Sequence, residues 1–159
     1  MQVSPQTLEK LTRLVVKQYE KLGFKPLDLA PYIRGKIAPT RKMETLRNFR
    51  QLLNKGKRSY WVREVLANGR AVMFVVMFDW KRPVHVRFVL HVTKIIYAFA
   101  RDWLSSSFEN VYIIMIAPEF SLSSTRAQDI IASAMPNCFV ELYGIGEIIS
   151  QLRMAGEMV

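Results

Sequence analysis

The segment "MFVVMFDWKRP", from Met73 to Pro83, carries the residue pattern with the clearest potential for chemistry. Asp79 and Lys81 have the spacing of the acid-x-lysine half of a metal-dependent nuclease site, and Glu64 lies fifteen positions upstream of Asp79. In such a site, converging carboxylates hold Mg²⁺, which lowers the pKa of a bound water and stabilises the leaving phosphate. The pattern therefore raises one hypothesis, a metal-dependent nuclease.

The elements around Asp79 argue against this hypothesis. Restriction-type nucleases hold the metal ion between a carboxylate on the second strand and an acid-x-lysine motif on the third. Here the predicted third strand, Val84–Val92, contains no Asp or Glu, and Asp79 follows the end of the second strand. Short motifs also match by accident. We therefore expect no catalytic residue, and we interpret the segment as a strand that ends in solvent.

Candidates for metal binding or nucleophilic chemistry elsewhere are weaker. His85 and His91 are six residues apart on the predicted third strand, about 20 Å, which is too far for one metal ion. Cys138 is the single cysteine, which excludes an internal disulfide and a multi-thiolate metal site, and we expect it in the core. The seven glycines form no phosphate-binding loop. The sequence therefore predicts no metal ion and no cofactor.

The positive charge is concentrated in one part of the chain. The formal net charge is +10, and the thirty residues from Arg34 to Arg63 hold ten bases against one acid, Glu44. Charge concentrated in this way attracts polyanions at long range. The alternative is a solvated helix face that keeps the protein in solution. The imbalance favours a polyanionic partner such as nucleic acid.

The first part of the chain has the pattern of two helices. Ser4-Pro5 offers an N-cap hydroxyl and a proline at the first helical position, and helical apolar spacing continues to Gly23. Lys25–Pro39 contains three prolines and should be an irregular connection. A second helix should run from Thr40 to about Asn54 with these side chains inward: Met43, Leu46, Phe49 and Leu53.

The rest of the chain has the pattern of strands followed by alternating helices and strands. Ser59–Leu66 and Ala71–Asp79 flank Asn68-Gly69, which favours a tight hairpin, and the second strand is apolar on both faces and should be central. Val84–Val92 would complete a three-strand meander. The helix Lys94–Leu104, the strand "NVYIIMIA", the helix "STRAQDIIASAM" and the strand "CFVELYG" follow. We predict an α/β fold with three layers and a mixed sheet, in which the meander precedes α-β-α-β in a restriction-nuclease-like topology.

Length and hydropathy are consistent with one intracellular domain. The chain has 159 residues, half of them apolar, which suffices for a core. No apolar run approaches the roughly 18 residues that span a bilayer, and the start "MQVSPQTLEK" has no signal-peptide core. A lone cysteine fits a reducing compartment. We therefore expect an intracellular protein without a membrane partner.

Several short motifs, in this order of elements, resemble the N-terminal jaw domain of the fifth-largest subunit of eukaryotic-type DNA-dependent RNA polymerases. "KLGF" is similar to the Gly-Tyr step that ends the family's first helix, and "RKM", Arg41–Met43, is similar to a basic motif ahead of its first strands. "MFVVMF" and "HVTKII" resemble its apolar strand and its Val-x-Val-x-Thr-like segment. "FSLSS", Phe120–Ser124, stands where the family has a Thr-Pro-Ser-Ala loop. The resemblance covers roughly residues 8 to 152.

The chain departs from this family at two places. Leu122 stands where the family has a loop proline. The family also continues into a C-terminal assembly domain, which this sequence lacks. The resemblance therefore implies one jaw-type domain over residues 1–159, either a fragment or a divergent subunit. It would be nuclear, or in the cytoplasm or virion if it is viral.

The resemblance implies a non-catalytic RNA polymerase subunit that contacts downstream double-stranded DNA and other polymerase subunits, while catalysis resides in those subunits. The basic helical segment 34–58 and the loop after "VYIIMIA" would contact phosphates without reading bases. The expected nucleic-acid-binding residues are Arg41, Lys42, Arg47, Arg50, Lys55, Lys57, Arg58, Ser121, Leu122, Ser123 and Arg126. Two alternatives stay open: a metal-dependent nuclease of restriction-endonuclease fold, and a general basic nucleic-acid-binding module.

The loop "FSLSSTR" leaves two interpretations open for Leu122. Ser123 or Ser124 should cap the next helix, whose free N–H groups favour a phosphate, with Arg126 as added positive charge. An exposed Leu122 would press on the sugar edge of a minor groove. Alternatively, Leu122 packs under the helix as a hydrophobic staple.

Overall fold

The computed structural model describes residues 4–34 and 40–154, and Lys36 of the basic segment lies outside them. The described part is an α/β structure with an open, mixed five-stranded sheet and helices on both of its faces. The elements in chain order are α1 (Pro5–Lys21), β1 (Lys25–Pro26), α2 (Ala30–Ile33), α3 (Thr40–Leu53), β2 (Tyr60–Asn68), β3 (Ala71–Phe78), α4 (Val86–Phe99) with a π-helical turn (Ala100–Leu104), β4 (Asn110–Ile116), α5 (Ser124–Ala132), β5 (Cys138–Tyr143) and α6 (Ile145–Met154).

The strands lie in the sheet in chain order, from β1 to β5. β1, β2 and β3 are antiparallel neighbours, whereas β3, β4 and β5 are parallel. The predicted hairpin between β2 and β3 is confirmed, and Gly69 at its turn has a φ of +57°, which glycine adopts without the cost of a Cβ. The α/β class and the mixed sheet are therefore confirmed.

β3 lies at the centre of the sheet because it is apolar on both faces. Its side chains alternate between two cores, and every residue from Val72 to Phe78 is buried. Val72, Phe74, Val76 and Phe78 face the core under α3, α4 and α5. Met73, Val75 and Met77 face the core under α1 and α6. A strand with this pattern has no side that tolerates water, which explains its central place.

The predicted third strand over Val84–Val92 is wrong. α4 begins at Val86, with His85 as its N-cap, and Val84 alone pairs with Phe120 in a β-bridge. The apolar residues of this segment fit both a period of two and a helical period. The structure follows the helical period, since the side chains buried in α4 are Val89, Val92, Thr93, Ile96 and Phe99. The three antiparallel strands of the structure are instead β1, β2 and β3, and the two-residue β1 lies at the edge of the sheet.

The rotation of α3 also differs in part from the prediction. Leu46 and Phe49 are buried as expected, but Met43 is 52% exposed and Leu53 is 40% exposed, while Leu52 is fully buried. Phe49 fixes this rotation, because its ring stacks on a phenylalanine of α4 at 3.8 Å between centroids. Leu52, three positions after Phe49, therefore points inward, whereas Leu53, four positions after it, does not.

Two side chains of α5 close the outer edge of the sheet. Gln128 donates from Nε2 to the carbonyl of Cys138 at 3.0 Å and accepts from the N–H of Val140 at 2.6 Å. Ser124 Oγ accepts from the N–H of Leu142 at 2.8 Å and donates to its carbonyl at 3.0 Å. These bonds satisfy backbone groups of β5 that a neighbouring strand would otherwise pair, and an open edge of this kind promotes aggregation.

Two further outcomes concern the ends of the described part. α6, which was not predicted, packs beside α1, and its Ile145 and Ile148 are buried in the same core. The predicted cap of α1 is confirmed, since Ser4 Oγ accepts from the N–H of Thr7 at 3.1 Å.

None of the helices in residues 4–34 and 40–154 has the length and apolar character of a membrane-spanning helix.

Candidate nucleic-acid interface

The parallel arrangement of β3 and β4 brings three connecting segments to one edge of the sheet. The carboxyl ends of both strands lie there, and the antiparallel β2 begins there. We call this the carboxyl edge and define it as residues 54–59, 79–85 and 118–124. In open α/β sheets, ligands commonly bind beyond the carboxyl ends of the strands.

The predicted basic residues extend along α3 from the opposite end of the sheet to the carboxyl edge. Thr45 near the start of α3 donates to Asp102 at 3.1 Å, and Asp102 lies in the π-helical turn that ends α4. Arg41 and Lys42 therefore lie far from the carboxyl edge, whereas the loop after α3 lies in it. A surface groove of about 440 Å³ runs along the second half of α3 and this loop, lined by Arg47, Arg50, Asn54, Lys55, Lys57, Arg58 and four other residues.

Most of these bases face solvent without an acidic partner. Within the described residues, ion pairs occupy Lys55 and Arg63 of the basic segment, but none involves Arg41, Lys42, Arg47, Arg50 or Lys57. The pKa of Arg63 is raised, chiefly by its hydrogen bond to Glu9, and Arg63 also pairs with Glu64. Arg63 is thus neutralised, whereas the bases of α3 keep their charge available.

Arg58 is held in place by two contacts. Its Nη2 donates to Gln51 Oε1 at 2.9 Å, and its guanidinium lies over the ring of Tyr60 at 5.8 Å. Neither contact cancels the charge. An arginine ordered in this way loses less side-chain entropy when it binds a phosphate.

The structure does not bring together the two carboxylates of the nuclease hypothesis. In the sheet register Glu64 lies opposite Val75, four residues before Asp79, so the two are about 13 Å apart along the strands. Asp79 pairs with Lys55, Oδ2 to Nζ at 2.9 Å. Within residues 4–34 and 40–154, no three His, Cys, Asp or Glu side chains could hold a metal ion together. Asp79 is therefore the ion-pair partner of Lys55, in the loop after α3.

The loop Phe120–Ser124 is anchored at both ends. Ser121 Oγ donates to the carbonyl of Val84 at 3.2 Å, and Ser123 Oγ caps α5 by accepting from the N–H of Arg126 at 3.2 Å. The side chain of Leu122 is half-buried and packs against the core cluster to which α3, α4 and α5 contribute, which favours the packed position over an exposed one. Arg126 is exposed in the first turn of α5. Phosphate binding by this loop stays a prediction.

The structure adds a group of residues that the sequence analysis did not select. At the carboxyl edge, two adjoining grooves share Trp80, Arg82 and Phe88, and exposed Lys81 and Arg87 line one groove each. The signal in the sequence is a tryptophan followed by two bases, but the local pattern of "DWKR" indicates only the end of a strand. The residues 86–88 were assigned to a strand, so their convergence with Trp80 could not be predicted.

The other chemically interesting residues are accounted for by structure. His85 and His91 belong to the cap and the exposed face of α4 and do not form a shared site. Cys138 is buried, as predicted, and burial raises the pKa of its thiol to about 12. A thiol with such a pKa is protonated at neutral pH and is not a nucleophile.

Comparison of the chain with protein-family models, with curated proteins and with solved structures finds no match. The resemblance to the polymerase jaw domain therefore stays a prediction.

Proposed function

We propose that the chain is a non-catalytic, jaw-type subunit of a DNA-dependent RNA polymerase, which contacts downstream double-stranded DNA and other subunits of the enzyme. The observation that carries this proposal is the row of exposed, unpaired bases along α3 and its following loop. The short motifs that resemble the jaw domain supply the enzyme to which such a surface would belong, although the order of elements differs from the predicted one because "HVTKII" lies in α4.

The spacing of the bases suits a phosphate backbone. α3 has 14 residues and is therefore about 21 Å long. Arg47, Arg50 and Asn54 follow one another on a single side of the helix and line the groove, which continues into Lys57 and Arg58. Phosphates on one DNA strand recur over several ångströms, so a helix of this length faces several of them. Contacts of this kind set position and affinity without reading sequence.

The dependence of duplex affinity on salt tests the DNA contact. Each phosphate contact contributes roughly 0.9 to the slope of log affinity against log salt, so the variant Arg47→Gln/Arg50→Gln should lower the slope by about 1.8. The matched control is Arg13→Gln/Lys17→Gln, which removes two exposed charges from α1 on the other face of the sheet. Equal slopes for the parent and the α3 variant would contradict the proposed interface.

A metal-dependent nuclease is the second candidate, and the strand order favours it. Three antiparallel strands followed by a helix and by a strand parallel to the third support a restriction-nuclease-like arrangement. Asp79-x-Lys81 follows the third of these strands, β3, and not the second as predicted, and Glu64 lies on the second, β2. The separation of Glu64 from Asp79 and the ion pair of Asp79 with Lys55 oppose it. Incubation of the purified chain with duplex and Mg²⁺ decides between the two candidates: we expect intact DNA, and cleavage that is lost in Glu64→Ala or Asp79→Ala would establish the nuclease.

A further inference from the structure

The carboxyl edge carries a second basic surface that is separate from α3. Two adjoining grooves of about 610 Å³ and 400 Å³ meet there, and both are lined by Trp80, Arg82 and Phe88. These volumes fall in the range of roughly 300–1,000 Å³ that is typical of sites for small ligands. The grooves together could therefore hold a unit of nucleotide size.

The lining of these grooves is positively charged. Lys81, Arg82 and Arg87 are exposed, and within the described residues none of them forms an ion pair. The one acid in the lining, Asp79, is already paired with Lys55. The guanidinium of Arg87 lies over the ring of Phe88, 4.9 Å from its centroid. The surface therefore attracts anions, and its charge is placed beside aromatic rings.

The aromatic part of the lining is rigid and carries an unused donor. Trp80 is half-buried and packs edge-to-face with Phe88 at 4.6 Å and with Phe78 at 5.5 Å between centroids. Phe78 in turn stacks with Tyr60 at 5.3 Å. Trp80 Nε1 is buried and has no hydrogen-bond acceptor within the described part of the chain. An aromatic platform that is fixed in this way offers contact area without a further loss of side-chain entropy.

We propose that this aromatic groove, Trp80, Lys81, Arg82, Arg87 and Phe88, binds single-stranded nucleic acid. A base would pack against Trp80 and Phe88, and the adjoining phosphates would meet Arg82 and Arg87. The combination of a basic groove with half-buried aromatic rings fits an unpaired strand, because the faces of bases in a duplex are covered by their neighbours. This inference goes beyond the proposed function and does not depend on it, because the duplex contact is assigned to α3.

The test measures binding of a labelled oligothymidine to the full chain by fluorescence anisotropy. Trp80→Leu should weaken binding about tenfold, as expected for the loss of one stacked base. Arg82→Gln/Arg87→Gln should lower the salt slope for the single strand by about 1.4, since each contact contributes roughly 0.7. This surface variant keeps the core intact, so the proposal remains testable if Trp80→Leu fails to fold.

Two control variants and two control ligands separate this groove from other anion binding. Arg101→Gln removes an exposed base at the far end of α4 and should leave binding unchanged. Arg47→Gln/Arg50→Gln should weaken duplex binding while leaving the single strand nearly unaffected. An abasic oligonucleotide of equal length and a polyglutamate peptide should both bind more weakly than oligothymidine.

Three results would overturn the proposal. The first is equal binding of the abasic and the thymidine strands, which would exclude stacking. The second is equal or tighter binding of polyglutamate, which would identify the groove as a site for an acidic protein. The third is unchanged oligothymidine binding in Arg82→Gln/Arg87→Gln.

Discussion

Asp79→Asn should strengthen the binding of duplex DNA, although it removes the residue that first suggested a nuclease. In the parent, Asp79 holds Lys55 at 2.9 Å, and the side chains are 13% and 47% exposed, respectively. The substitution keeps the shape of the side chain and removes its charge. Lys55 then becomes available at the carboxyl edge, between the α3 groove and the aromatic groove.

The structure sets the size of the effect. If the released lysine meets one phosphate, the salt slope for duplex should steepen by up to about 0.9. At low salt, one additional contact in a largely aqueous setting is worth about 1 kcal/mol, or roughly a fivefold gain in affinity. The loss of stability should stay within about 1 kcal/mol, because the pair is partly open to solvent and screened.

Anisotropy titrations at several salt concentrations and a thermal melt measure these changes. The matched control is Glu109→Gln, which breaks the single, exposed ion pair between Glu109 and Arg70 at the opposite end of β3. It changes the net charge by the same amount but should leave the slope unchanged. Weaker duplex binding by Asp79→Asn, or an equal gain in both variants, would refute the assignment of Lys55 to the interface.

The remaining predictions concern the loop, the sheet edge and the buried thiol. Arg126→Glu should weaken duplex binding at low salt with an unchanged melting temperature, because the side chain is exposed; equal binding would remove the loop from the interface. Gln128→Ala should lower the free energy of unfolding in urea by about 1–3 kcal/mol and increase self-association in sedimentation, since two backbone groups of β5 lose their partner. Asp129→Ala, at the neighbouring exposed position, should change neither quantity. Cys138, whose thiol pKa is raised to about 12, should resist alkylation in the folded protein at pH 8, and rapid labelling without denaturant would contradict its burial. Because the unfolded thiol ionises at about 8.5, this group should lower stability as pH rises above that value.

Local signals predicted much of the fold. The N-cap at Ser4, the cap at Ser123 and the hairpin at Gly69 follow from backbone chemistry that acts within a few residues. The central place of β3 follows from a run that is apolar on both faces. Features of this kind need no knowledge of the rest of the chain.

The predictions that are wrong concern segments whose local pattern fits two structures equally well, so that tertiary contacts decide between them. Val84–Val92 satisfies a period of two and a helical period at once, and the burial of Val89 and Val92 with the later residues of α4 selects the helix. Leu52 and Leu53 are both apolar, and the stacking of Phe49 determines which one turns inward. β1 has only two residues and exists through its pairing with β2, so no local signal predicts it.

The same limit applies to the candidate site. The bases of α3 could be found from the sequence because they are close together in it. The aromatic groove could not, because Phe88 reaches Trp80 only when the segment after β3 turns into α4. Charge density is therefore visible in a sequence, whereas a groove that depends on the correct element type is not.

The most direct test of the polymerase assignment is recovery of the tagged chain from its native cells at moderate salt, with nuclease added and the associated proteins identified. Nuclease treatment matters, because a basic protein also recovers partners that are merely bound to the same DNA. We expect the two largest RNA polymerase subunits in amounts equal to the tagged chain, and equally so for the Arg47→Gln/Arg50→Gln variant, whose DNA contact is weakened. Recovery of the chain without polymerase subunits after nuclease treatment would contradict the polymerase assignment.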